Sequence, residues 1–133
     1  MARQRHLDSR EMAGPVLKNC RVMIVEDEPV LALELVSILE DEGAIVVAVA
    51  QCVASALDSV REYWINCALL DIDLNGETSY PVADALSELN LPFALVTGYT
   101  ESAPPPRHIH RPVINKPFSA THVVEAVAVM ASR

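Results

Sequence analysis

Five short apolar runs, at residues 22–25, 45–50, 68–70, 93–97 and 113–114, recur along the chain and alternate with longer segments whose apolar residues fall at helical spacing. Runs of this length without polar alternation are what strands covered on both faces require, and such strands belong to parallel sheets. The intervening segments supply the covers. Residues 29–42 place Leu31, Leu35, Ile38 and Leu39 on one helical face, with Pro29 at the start and Gly43 at the end. Val53, Leu57 and Val60 make a second stripe, Val82, Leu86 and Leu89 a third before a Leu91-Pro92 turn, and residues 119–131 a closing helix with Ser119 as its N-cap. A βα repeat with right-handed crossovers gives an α/β fold with a doubly wound, five-stranded parallel sheet.

One segment breaks the repeat. Between the fourth and fifth runs, where a helix is due, stands Glu101-Ser102-Ala103-Pro104-Pro105-Pro106-Arg107-His108. Three prolines remove three amide donors, and each costs roughly 3 kcal/mol in a helix interior. The fourth helix is therefore expected to be short, displaced or disordered. His108 and His110, beside Arg107 and Arg111, read as exposed loop residues, because no cysteine or third histidine stands at metal-ligand spacing.

At 133 residues and 51% apolar, the chain suffices for one domain with a real core. No apolar stretch approaches the roughly 20 residues needed to span a bilayer, and no signal-like segment follows the first arginines, so a cytoplasmic protein with no membrane partner is expected. Cys20, Cys52 and Cys67 lack CxxC spacing and read as small apolar fillers. Residues 1–21 hold five Lys/Arg against two acids, whereas the remainder holds five against sixteen. An acidic body of this kind excludes nucleic acid as the main ligand, since phosphate backbones need clustered positive charge. Residues 1–19, polar and broken by Gly14-Pro15, read as a flexible basic leader to a domain over 20–133.

The chemistry gathers at strand ends. Glu26 and Asp27 follow the first run, Asp71 the third, Thr97 the fourth, and Lys116 the fifth. In open α/β sheets ligands bind beyond the carboxyl ends of the strands. The intervals of 44, 26 and 19 residues from Asp27 to Asp71, Thr97 and Lys116 each fit one or two βα units. Three carboxylates meeting at one mouth repel one another unless a cation joins them, and Mg²⁺ suits a few oxygen ligands plus phosphate oxygens. Asp71 is the candidate nucleophile, since a carboxylate can attack a phosphoryl group to form an aspartyl-phosphate. Thr97 offers a hydroxyl and Lys116 a compact positive charge for the phosphoryl oxygens.

The stretches Ile24-Val25-Glu26-Asp27-Glu28-Pro29, Leu69-Leu70-Asp71-Ile72-Asp73-Leu74-Asn75-Gly76, Val96-Thr97-Gly98 and Ile114-Asn115-Lys116-Pro117-Phe118 together resemble a response-regulator receiver domain, over about residues 20–131. The resemblance implies a flavodoxin-like sheet with strand order 2-1-3-4-5. It implies that Asp71 accepts a phosphoryl group from a sensor histidine kinase or histidine phosphotransferase, and that Glu26, Asp27, Asp71 and the backbone carbonyl of Asp73 hold Mg²⁺. Thr97 and Lys116 would contact the phosphoryl group. A chain of this kind is a stand-alone signalling module that acts by altering contacts with a downstream protein, and not an enzyme turning over external substrates.

Pro92-Phe93-Ala94-Leu95-Val96-Thr97-Gly98-Tyr99 further resembles the signature of the FAT GUY subgroup, with Val96 where Ala is usual. Typical receivers carry a switching aromatic residue three positions before the lysine, where this chain has Val113. The resemblance thus points to Gly98, Tyr99 and the proline-broken segment as carriers of the response. Many receivers dimerise through the fourth helix and its neighbours, a surface the proline run alters. Two alternatives are a phosphorylation-independent pseudo-receiver and a haloacid-dehalogenase-like phosphatase, whose DxD motif Asp71-Ile72-Asp73 matches. In that phosphatase the second Asp would be a general acid/base.

Overall fold

The five runs form one parallel sheet in the order β2-β1-β3-β6-β7, which is the expected 2-1-3-4-5 arrangement once a small hairpin is set aside. The computed structural model describes residues 15–98 and 103–132. In chain order the elements are β1 (Arg21–Val25), α1 (Pro29–Asp41), β2 (Ile45–Ala50), α2 (Val53–Glu62), β3 (Cys67–Asp71), β4 (Asp73–Leu74), β5 (Glu77–Thr78), α3 (Tyr80–Glu88), β6 (Phe93–Thr97), β7 (Val113–Asn115) and α4 (Ala120–Ala131). All pairings in the main sheet are parallel, with a bulge between Val22 and Met23. No helix among the described residues is long and apolar enough to cross a membrane.

Strand periodicity divides the core into two layers. Val22 and Ile24, Cys67 and Leu69, and Ala94 and Val96 face Leu35 and Leu39 of α1 and Val123, Val127 and Met130 of α4. Their neighbours Met23 and Val25, Ala68 and Leu70, and Phe93 and Leu95 face Val53, Ala56 and Val60 of α2 and Val82, Ala83 and Leu86 of α3. This inversion at every residue follows from the two-residue repeat of a strand. The central strand β3 is buried at all five positions, so Asp71 is carried into the interior by its neighbours.

Four expectations are corrected. Leu17, assigned to the leader, is 2% exposed in the α1–α4 layer, and its N–H donates to the Glu42 carbonyl at 2.9 Å. Burial of one leucine is worth roughly 1.5–3 kcal/mol, which holds residues 15–19 against the end of α1 and moves the boundary before residue 20. Residues 1–14 lie outside the described residues. Gly43, at φ +91°, lets this turn approach, since a Cβ there would stand 2.8 Å from that of Pro15. Leu89 falls just past α3 and is exposed; Asn90 turns back at φ 57°, and Leu91 takes the inward place with its N–H on the Leu86 carbonyl. Val113 is exposed while Ile114 is buried, because among the described residues no α-helix covers the outer side of β7.

The fourth correction concerns the β6–β7 connection. Among its described residues it contains a single 3₁₀ turn, Pro106–His108, as the prolines led one to expect. His108 is nevertheless 2% exposed, not a surface loop residue. Its ring lies against Tyr80 and Phe93.

Ser119 caps α4 by accepting the His122 N–H at 3.1 Å, as its position predicts. Ser79, before α3, has no such function. Its hydroxyl is fully buried, makes no capping bond and has no partner among the described residues. Ser79→Ala is therefore expected to raise stability by about 1 kcal/mol, because it removes a desolvated hydroxyl and no bond. Urea unfolding measures this, and a loss of stability would show that the hydroxyl is satisfied.

Candidate functional site

The carboxyl ends of β1, β3 and β6 and the residue after β7 surround a cavity of about 330 Å³ lined by Asp27, Glu28, Asp71, Asp73, Asn75, Gly98 and Lys116. Strand register sets the relative depth of these groups. Asp71 pairs with Val96, and Thr97 with Asn115, so Asp71, Thr97 and Lys116 sit on three neighbouring strand ends. The Lys116 N–H also donates to the Thr97 carbonyl at 2.8 Å.

Asp71 is 3% exposed, and its Oδ2 accepts from Lys116 Nζ at 3.1 Å. The same ammonium lies 3.5 Å from Glu26 Oε1. Desolvation works against the charge on Lys116, but the Asp71 and Glu26 carboxylates outweigh it and raise its pKa. Glu26 is 1% exposed behind the cavity wall, with Oε2 accepting the Glu28 N–H at 3.1 Å. Burial first, then the adjacent Asp71 carboxyl, push Glu26 up to about 8, against the opposing pull of the Glu28 N–H and Lys116.

Glu26, Asp27 and Asp71 each place one carboxylate oxygen within 4.8 Å of the others, inside the reach of a single cation. Glu26 Oε1 is buried and has no hydrogen-bond partner among the described residues. Three carboxylates this close, with the Lys116 ammonium no nearer to Glu26 Oε1 than 3.5 Å, fit a hard divalent ion. Magnesium is such an ion, and it leaves positions open for water and phosphate oxygens.

Asp73 lines the cavity, but its side chain has a local partner. Its Oδ1 accepts the Gly76 N–H at 2.9 Å and closes the β4–β5 hairpin, whose turn places Asn75 at φ 57° and Gly76 at φ 87°. The hairpin was absent from the sequence-based expectation, although Asn75-Gly76 is the strongest short signal for such a turn. Glu28 and Asn75 are cavity residues that the sequence reading did not single out.

Thr97 is half-buried, and its hydroxyl donates to the Gly98 carbonyl at 3.2 Å. Of the three switch candidates, Gly98 lines the cavity, Val113 does not, and Tyr99 lies outside the described residues.

The model of the response regulator receiver domain matches residues 22–128. No curated protein matches the chain. Among solved structures, SdrG from Sphingomonas melonis Fr1 is 38% identical at a TM-score of 0.76, over 84% of this chain and 96% of that one. The BeF3-activated conformation of SdrG, at the same 38% identity, superposes at 0.69 over 84% and 95%. The response regulator PhyR from Brucella abortus is 25% identical at a TM-score of 0.69, over 92% of this chain but only 52% of its own. The family model spans most of this chain, including the acidic cluster, Thr97 and Lys116, and the chain belongs to the response regulator receiver domain family.

Proposed function

We propose that Asp71 accepts a phosphoryl group from the phosphohistidine of a sensor histidine kinase or a histidine phosphotransferase. The observation that carries this reading is the Asp71 carboxylate: buried to 3%, opening on the cavity, and held by Lys116 at 3.1 Å beside two further acids. In the transfer, a carboxylate oxygen forms the new O–P bond while the P–N bond breaks and the donor imidazole leaves with the electron pair. Glu26, Asp27, Asp71 and the Asp73 carbonyl would hold Mg²⁺, which when bound neutralises charge on the phosphoryl oxygens. Lys116 keeps the carboxylate oriented and then pairs with the phosphoryl oxygens. Thr97 turns its hydroxyl from the Gly98 carbonyl to one of those oxygens.

The product is a signal and not a released metabolite. A phosphoryl group adds charge and acceptor oxygens beside Gly98, and a partner protein in the cytoplasm reads the rearranged surface. Similarity to SdrG, a protein with a BeF3-activated conformation, supports a two-state response of this kind, as does the FAT GUY-like stretch 92–99.

Intact mass after incubation with acetyl phosphate and Mg²⁺ tests the proposal. The wild type is expected to gain one phosphoryl mass, and both Asp71→Asn and the wild type in EDTA to gain none. An unchanged wild-type mass under phosphohistidine donor as well would leave a phosphorylation-independent binding module. Steady phosphate release that depends on Asp73 would instead indicate a phosphatase.

A further inference from the structure

Asn75-Gly76 is the one asparagine–glycine step in the chain; Asn19, Asn66, Asn90 and Asn115 precede cysteine, leucine or lysine. The distinction is chemical. An asparagine deamidates when the next backbone nitrogen attacks its side-chain carbonyl carbon, and a side chain on the following residue shields that nitrogen. Glycine leaves it bare. Beyond its chain neighbours, nothing among the described residues stands within 4 Å of where a Gly76 Cβ would lie, so the surrounding structure adds no cover of its own.

The fold also holds this step loosely. Asn75, at φ 57°, and Gly76, at φ 87°, form the tip of the β4–β5 hairpin, and both are exposed. Each strand has two residues and pairs only with the other, Asp73 with Thr78 and Leu74 with Glu77. So short a ladder is marginal by itself, and its turn opens locally at little cost. The buried Leu74 and the Ser79 N–H, which donates to the Ile72 carbonyl at 2.9 Å, anchor the base of the hairpin but not its tip. One bond opposes opening. The Gly76 N–H donates to Asp73 Oδ1 at 2.9 Å, which fixes the turn and occupies the nitrogen that cyclisation needs.

The tip belongs to the phosphoacceptor cavity. Asn75 lines it together with four acids, Asp27, Glu28, Asp71 and Asp73, and one cation, Lys116. Loss of the carboxamide would replace a neutral dipole there with a fifth carboxylate.

We propose that Asn75 is a modification site: it deamidates through a succinimide with Gly76, at a rate restrained by the Asp73–Gly76 bond, and so adds a carboxylate to the mouth of the cavity. The Gly76 nitrogen forms a bond to Asn75 Cγ, the Cγ–Nδ2 bond breaks, and ammonia leaves with the proton that Gly76 gives up. Water then opens the ring at either carbonyl, to an aspartate or to an isoaspartate with one more methylene in the backbone. The modification does not depend on the phosphoacceptor reading. Its consequence does: a further negative charge at the mouth repels a phosphoryl donor and slows uptake on Asp71.

Prolonged incubation of the folded full chain in mildly alkaline buffer, followed by peptide mass spectrometry, tests the site. The peptide holding residues 75–76 is expected to gain one mass unit and to resolve into aspartate and isoaspartate forms, while peptides with the other asparagines stay unchanged. Asn75→Gly, which suits the left-handed turn, is expected to show no gain. Asp73→Ala is expected to speed conversion by about threefold to tenfold, the worth of one exposed hydrogen bond on the turn. No conversion of the wild type overturns the site, and equal rates in Asp73→Ala overturn the restraint. Separated by anion exchange, the converted protein is expected to take up the phosphoryl group from acetyl phosphate and Mg²⁺ about threefold or more slowly than the unconverted one. Equal uptake overturns the consequence alone. Failure of the unconverted protein to gain the phosphoryl mass from any donor overturns the phosphoacceptor reading and, with it, the consequence, but not the modification.

Discussion

Lys116→Ala is expected to lower the thermal midpoint in EDTA by about 10 °C or more and to slow phosphoryl uptake on Asp71 by about 10²–10³. The stability effect follows from what the ammonium holds together. It donates to Asp71 at 3.1 Å and lies 3.5 Å from Glu26, two carboxyl groups that are 3% and 1% exposed. Removing one partner of a buried charge pair costs about 3–5 kcal/mol, because the remaining charge is left without compensation. Protonation of Glu26, already favoured by burial, relieves part of this and sets the expectation at the lower end. A domain of this size loses about 3–5 °C per kcal/mol. Mg²⁺ recovers much of the loss by supplying the missing positive charge.

The rate effect has a different origin and a different rescue. The phosphoryl group arrives with negative oxygens at the position Lys116 faces, and a preorganised donor there is worth about 2.7–4 kcal/mol of barrier. Mg²⁺ would not replace it, because the carboxylates that would hold the ion, Glu26, Asp27 and Asp71, leave the phosphoryl oxygens without the donor that Lys116 supplies. Lys116→Arg separates the two effects: it keeps the charge and recovers stability, but its forked guanidinium does not fit where a compact ammonium sat. Thermal midpoints with and without Mg²⁺, beside the initial rate of mass gain, give both numbers. A full uptake rate in Lys116→Ala would remove the lysine from the chemistry.

The gathering of Asp27, Asp71 and Lys116 at one mouth was legible because these residues follow strands that apolar runs alone reveal. An apolar run such as 22–25 announces a buried strand, and parallel topology brings the ends of such strands together regardless of the intervening sequence. Asp71 and Lys116, 45 residues apart, thus meet through two register-fixed pairings. Features that depend on a single distant partner were not legible. His108 is a polar residue among prolines and arginines, and only the later juxtaposition with Tyr80, Asp84 and Phe93 buries it. Leu17 stands in a two-residue apolar step, Val16-Leu17, behind a Gly-Pro break, too short for any periodicity to register. The two-residue strands β4 and β5 are likewise too short to show alternation, so only the Asn75-Gly76 turn could have announced them.

Glu26 makes the second large prediction: in EDTA the wild type loses stability relative to Glu26→Gln as pH rises from about 4.3 to 8, with a slope of at most about 1.4 kcal/mol per pH unit. The sign follows from the direction of the shift. Burial and the neighbouring Asp71 carboxyl raise Glu26 to about 8 in the folded chain, above the ordinary glutamate value of about 4.3 in the unfolded one. Between those values the folded state binds the proton more tightly, so its advantage is complete below the lower value and gone above the higher one. Glutamine keeps the size of the side chain and has no proton to lose, and the contribution is therefore flat with pH in the variant. Mg²⁺ reverses the ranking. The ion needs the deprotonated carboxylate, so binding to the wild type releases a proton near neutrality and strengthens as pH rises through 8. The variant, with one anionic ligand fewer in the cluster of three, binds Mg²⁺ at least about tenfold more weakly. Thermal midpoints of both proteins across pH 5–9, in EDTA and in excess Mg²⁺, should therefore cross. Parallel curves in EDTA would mean that Glu26 is ionised throughout, and that Lys116 alone satisfies the buried acid pair.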